Sequence, residues 1–170
     1  MLSSDRLRPV LRLAALTAAL LLGGCFQPLY GSLNGQLQGE LQAIAVDPIP
    51  DRLGHYLGNE LIFAFNGTGS TVTPKYRLLV TASERVQTPL IDTFSNRATA
   101  ATVFVDANFQ LLPAAGGAAI VSGTATSLAT YDRSAQRFAN LRAARDAEIR
   151  NAKTLADQIH TRIAAALAVK

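Results

Sequence analysis

The 170 residues contain no tryptophan, a single cysteine, two histidines, and charged residues at only 16%. One thiol cannot close an intrachain disulfide, and this set of ligand types does not supply a multi-His or multi-Cys metal site. His55 and His160 lie about a hundred residues apart and outside any spacing such as HExxH, so both read as partly exposed helix residues. Neither GxSxG nor GxxxxGK[ST] occurs, and the glycines at 67, 69, 116, 117 and 123 read as turn residues. No catalytic constellation emerges, and the chain is expected not to be an enzyme and to need no cofactor.

What is present is 49% hydrophobic residues over about one domain's length, which excludes a disordered, collagen-like or multi-pass membrane chain. The net charge of +4 first suggests nucleic acid. However, Arg6, Arg8 and Arg12 against Asp5 fall in residues 1–24, which leaves 13 positive and 11 negative charges in the remainder. A balance of +2 does not point to a polyanion.

Residues 1–12 are basic, and residues 13–22 (LAALTAALLL) carry no charge. At about 1.5 Å per helical residue such a run is too short for a bilayer core of about 30 Å, and it reads as the apolar part of a secretory signal. It ends in Leu22-Gly23-Gly24-Cys25, which resembles the lipobox of bacterial lipoproteins. That resemblance implies cleavage before Cys25, with a diacylglycerol on its sulfur and an acyl group on its new amino terminus. One acyl chain binds a membrane marginally, whereas two or three hold a domain stably. Phe26 follows the cysteine where, in such lipoproteins, an Asp would retain the protein in the inner membrane, so the outer membrane is expected. The expected organisation is a signal peptide at 1–24, a lipidated tether at 25–36 and one domain at 37–170.

Within that domain, residues 37–46 (LQGELQAIAV) suggest a strand whose apolar parity changes between Leu41 and Ile44. Pro48 and Pro50 end it. Asp51 stands where a helix N-cap belongs, and Leu53, Tyr56, Leu57, Leu61 and Ala64 follow at helical spacing, predicting a helix over 51–65. Gly54 and Gly58 are spaced for close helix-to-sheet packing. From Lys75 the period becomes two: Tyr76, Leu78, Val80, Ala82 and Val86 share a predicted buried face. Residues 97–111 alternate likewise, and residues 113–117 connect them to a third alternating run at 118–131.

From Ser134 the period returns to 3.6, with Phe138, Leu141, Ala144, Ile149, Ala152, Leu155, Ala156, Ile159, Ile163 and Leu167 in one stripe. Arg145 interrupts it. Opposite charges four apart at 142/146, 146/150 and 153/157 line the other face. The predicted fold is α+β: an antiparallel or mixed four-stranded sheet with two helices packed on one face, in the order β-α-β-β-β-α. The other sheet face, rich in Thr, Ser, Asn and Ala, is left wet or for a partner.

The stretch Gly24-Cys25-Phe26-Gln27-Pro28-Leu29-Tyr30-Gly31, with Tyr76-Arg77-Leu78 opening a strand and Ser134-Ala135-Gln136-Arg137-Phe138-Ala139 opening the long helix, resembles the LPS-assembly lipoprotein family LptE. The resemblance implies a non-enzymatic outer-membrane lipoprotein at the periplasmic face, which assists assembly of the β-barrel LptD, plugs it, and takes part in lipopolysaccharide transport.

Lipopolysaccharide offers phosphates to basic side chains and acyl chains to apolar ones. Arg85 and Arg97 flank a connection containing Leu90, Ile91 and Phe94, and this is the expected contact region. Arg133, Arg137, Arg142, Arg145, Arg150 and Arg162 read as a solvated helix face, with acidic lipid headgroups as an alternative contact; their interleaved acids and the export signal oppose nucleic acid. Two further function classes stand beside the first: a lipid-binding auxiliary of another envelope transport system, and a secreted hydrolase, for which no residues were found.

Overall fold

A computed structural model describes residues 35–67, 72–88, 91–92 and 97–169. A short helix α1 (Gly35–Gln42) leads into strand β1 (Ile44–Val46), helix α2 (Asp51–Asn66) and strand β2 (Tyr76–Gln87). A two-stranded hairpin, β3 (Ile91–Asp92) and β4 (Arg97–Ala98), precedes the long strands β5 (Ala100–Pro113) and β6 (Val121–Asp132) and the terminal helix α3 (Arg137–Ala168).

The main sheet has the order β1-β2-β5-β6. β1 pairs parallel to β2, with Ile44 opposite Tyr76, while β2, β5 and β6 form an antiparallel meander. The sheet is therefore mixed, and the expected β-α-β-β-β-α order holds with an extra helix in front.

That extra helix corrects the first expected strand. Residues 37–42 are helical, and only Ile44–Val46 extends. The parity change marks this boundary. Leu37 and Leu41, four apart, bury one helical face, whereas Ile44 enters the core from a strand.

Asp51 also departs from expectation. Pro50 occupies the N-cap in extended conformation with no side-chain cap bond, and Asp51 begins the helix at φ 69°. The left-handed region is tolerated by Asp better than by most residues, and its carboxylate still lies in the first turn where it complements the helix dipole. At the other end Gly67 closes α2 with its N–H donating to the Phe63 carbonyl at 2.9 Å. A Cβ on Gly54 would stand 2.7 Å from both Ile49 Cγ2 and the Ile49 carbonyl oxygen. The close packing predicted for this glycine is thus real, but its partner is the proline-flanked link before α2 and not the sheet.

The alternation expected to run unbroken through residues 97–111 is broken at Thr99. Residues 97–98 leave the sheet to pair with 91–92, and β5 begins at Ala100. A hairpin preserves the period of two, so the sequence pattern carries no mark of the departure. Gly116 and Gly117, at φ 88° and 129°, make the β5–β6 turn, conformations that a side chain would strain.

The core lies between one sheet face and the helices. Leu78, Val103, Val105, Phe109 and Leu111 from the sheet meet Leu57 and Leu61 of α2 and Leu155, Ile159 and Ile163 of α3, all essentially without exposure. Asn151 is buried among them and is bonded at both ends of its amide: the nitrogen donates to the Val103 carbonyl at 3.0 Å, and the oxygen accepts from the Ser127 hydroxyl at 2.9 Å. Arg52 pairs with Glu148, and Phe65 contacts His160, so α2 and α3 run in the same direction. Arg150 reaches Thr130 and Arg162 reaches Thr124, so α3 runs antiparallel to β6. Among the described residues no helix covers the second sheet face.

Candidate functional site

One end of the sheet collects the residues singled out above. Gln87 at the end of β2 stands opposite Thr102, and Thr102 opposite Thr130, with the two threonine hydroxyls 3.0 Å apart. The Arg133 N–H donates to the Thr99 carbonyl at 2.8 Å, which ties the start of the α3 segment to the chain just after β4. The end of β2, β4 with Arg97, the start of β5 and the entry to α3 therefore meet at the same edge of the molecule.

Arg85 lies on the uncovered face, in a row across three strands with Phe104 and Leu128. Its guanidinium sits 5.6 Å from the centroid of the Phe104 ring and 3.3 Å from the Asp106 carboxylate. Beside it is a shallow depression of about 470 Å³ lined by Arg85, Phe104, Asp106, Thr126, Leu128 and Thr154. Leu128 is 63% exposed there. The sequence-predicted arginine is thus beside exposed apolar surface, with part of its charge already matched by Asp106. Arg97 is placed in β4 opposite Asp92. Its side chain, Leu90, Phe94 and the expected lipidation site Cys25 lie outside the described residues.

Sequence reasoning assigned the first turns of α3 to the buried stripe, and the structure places them beyond it. Arg150 is level with Thr130 near the end of β6, so the ten residues 137–146, about 15 Å of helix, project past the sheet. Phe138 is 83% exposed and Leu141 59%. Wound at 100° per residue, Arg137, Phe138, Leu141, Arg142 and Arg145 share one side of the helix. Arg145, which interrupted the apolar stripe, is therefore an exposed member of a mixed basic and apolar surface. Among the described residues none of Arg133, Arg137, Arg142 and Arg145 forms an ion pair. Of the three pairs expected along the helix, Arg150–Asp146 forms at 2.8 Å, and the pairs 142/146 and 153/157 do not. The signal for this site was the misplaced arginine itself.

The other ionic cluster lies on the helix-covered side. Arg52 donates from Nε to Glu148 Oε2 at 2.8 Å and from Nη2 to Oε1, and the Glu148 side chain is only 3% exposed. Glu84 stands near them. Burial first, and then the charge of Glu148, raise its pKa above the ordinary carboxylate value, against the pull of Arg52. This cluster joins α2, α3 and β2.

His55 is exposed and bonds Asn59 at 3.2 Å. His160 is half-buried against the Phe65 ring, 5.1 Å between centroids, and burial lowers its pKa. Among the described residues no three His, Cys, Asp or Glu side chains group as metal ligands, and no helix is long and apolar enough to cross a membrane.

Comparison with known proteins gives a match over residues 41–163 to the family model described as LptE, lipopolysaccharide-assembly. The fold is similar to that of a chain from Caulobacter crescentus CB15, with a TM-score of 0.69 and 24% identity over 79% of this chain and 98% of that one. It is also similar to a minor lipoprotein of Acinetobacter baumannii, with a TM-score of 0.56 and 21% identity over 72% and 90% of the two chains. The rare lipoprotein B of Shewanella oneidensis gives a TM-score of 0.54 at 12% identity over 74% and 94%. No curated protein sequence matches the chain significantly.

Proposed function

Because this chain belongs to the LptE family of lipopolysaccharide-assembly proteins, we propose that it is an outer-membrane lipoprotein that assists assembly of the LptD β-barrel, plugs it, and takes part in moving lipopolysaccharide to the outer leaflet. Acylation of Cys25 on its sulfur and amino group attaches it to the periplasmic face. The role is non-enzymatic. A plug for a wet barrel interior needs a polar exterior, and the uncovered sheet face meets that need with Thr81, Ser83, Asn108, Gln110, Thr124 and Thr126.

The observation that supports lipopolysaccharide contact is the convergence of arginines and exposed apolar side chains at one end of the sheet. Arg85, Arg97 and the unpaired arginines of α3 match phosphates, to which guanidinium groups form strong charge-assisted bonds. Phe138, Leu141 and Leu128 match acyl chains. Catalysis is not required of any of them.

Two measurements test this reading. The lipidated protein is expected to copurify with the large barrel protein, whereas a chain that retains lipid without a barrel would favour an auxiliary of another transport system. Neutralisation of Arg85 and Arg97 together by Gln, and separately charge reversal of Arg137 and Arg142, is expected to weaken lipopolysaccharide binding, with the urea midpoint in place for the second variant and lowered in the first by no more than the exposed Arg85–Asp106 pair contributes, under about 1 kcal/mol. Unchanged binding in both variants would remove this end of the molecule as the site.

A further inference from the structure

β6 is the outermost strand of the sheet and runs for twelve residues (VSGTATSLATYD). Edge strands of this length are ordinarily protected by lysine, proline, a bulge or an inward charge. β6 has none of these within its span, and its single charge, Asp132, is at its end. The protection comes from elsewhere. Arg162 donates to the Thr124 carbonyl, Gln158 to the Thr126 carbonyl at 3.1 Å, and Arg150 to the Thr130 carbonyl at 3.0 Å. Donors spaced by fours on an antiparallel helix meet acceptors spaced by twos on the strand. Four helical residues rise about 6 Å and two strand residues about 6.6 Å, so the two rows stay in register.

One tooth of this comb is missing. Position 154 is level with Leu128, but the Thr154 hydroxyl donates to the Arg150 carbonyl within its own helix at 3.0 Å. Leu128 stands at that gap with its side chain largely exposed.

We propose that the β6 edge is a strand-addition surface that fits a second copy of this chain, and that Arg150, Gln158 and Arg162 hold it closed. Antiparallel pairing of two β6 strands about Leu128 puts Leu128 against its counterpart and Thr126 against Thr130, both favourable cross-strand pairs, with no like charges opposed. The opposite edge of the sheet is more charged. β1 pairs with β2 only as far as Leu78, and the remainder of β2 carries Glu84 and Arg85, charges that β6 does not have before Asp132. The nearly uncharged, threonine-rich sequence of β6 favours self-pairing, and the three α3 side chains oppose it.

The test is the mass of the full-length mature protein in detergent, measured by light scattering during size-exclusion chromatography. The parent is expected at protomer mass. The triple variant Arg150→Ala, Gln158→Ala, Arg162→Ala is expected to double in mass and to return to a single protomer when Thr126→Pro is added. Thr126 faces away from β5, so proline there removes an edge N–H without breaking the inner ladder. Should the triple variant not fold, Gln158→Ala and Arg162→Ala singly are expected to raise the dimer fraction at the highest soluble concentration. A folded triple variant that stays monomeric, single variants that both stay monomeric, a dimer indifferent to Thr126→Pro, or a parent already dimeric through this edge would each overturn the proposal.

Discussion

The two parts of α3 share one apolar period and have opposite environments. Residues 147–167 bury Leu155, Ile159 and Ile163 completely against the sheet and α2, whereas residues 137–146 hold Phe138 and Leu141 out in solvent among unpaired arginines. Nothing in the helical spacing changes between them. The sheet ends near Asp132, and the helix does not. A periodic stripe therefore records a capacity for burial, and the neighbouring element decides how much of it is used.

The largest expected effect breaks the comparison at its buried side. Leu155→Ala or Ile159→Ala should cost about 2–5 kcal/mol in urea unfolding, because each empties a site with little room to collapse. Next, Asn151→Ala should cost about 1–3 kcal/mol, since it leaves the buried Val103 carbonyl without its side-chain donor.

A smaller, pH-dependent effect is expected at Glu84. Its carboxyl is held above its ordinary pKa in the folded chain, so the fold bears a penalty at neutral pH that is relieved as pH falls through the raised value. Glu84→Gln should raise the urea midpoint at neutral pH and flatten the gain seen on acidification toward the ordinary carboxylate range. The difference between variant and parent isolates this effect from His160, whose lowered pKa acts in the opposite sense as the unfolded chain takes up its proton. A parent and variant with parallel pH profiles would exclude the carboxylate as the cause.

The smallest effect sharpens the exposed side. Phe138→Ala and Leu141→Ala should change stability by less than about 0.5 kcal/mol, in contrast with Leu155→Ala in the same helix. A loss comparable to a core truncation would mean that the projecting turns are covered in solution.

The strands and helices were legible where a single period ran long enough to be unambiguous. The alternation of Leu78 and Val80, and of Val103 through Leu111, identified the inner face of the sheet correctly. Val86 shared that period and is nonetheless exposed, because β2 outruns its helix cover. The break at Thr99 could not be read, since a side hairpin keeps the same alternation as the strand it leaves. α1 was mistaken for strand because eight residues with two buried leucines give too little periodic signal to separate the two.

The candidate site was half legible. The expectation for Arg85 rests on its position at a strand end beside an apolar connection, whereas its engagement with Asp106 and Phe104 depends on the β2–β5 register, which alternation alone does not fix. The α3 arginines were visible as charges and read as a solvated face. Only the length of the helix relative to the sheet separates those without an ion pair at 137, 142 and 145 from Arg150 and Arg162, which bind the β6 carbonyls.

By itself the sequence determined the class of the fold, the inner face of each long strand and the stripe along the terminal helix, because side-chain period follows directly from backbone geometry. Tertiary structure decided where the sheet stops, which turns of α3 find cover, and which of its arginines reach the sheet. Those outcomes depend on distances between elements remote in the chain, and no local pattern encodes them.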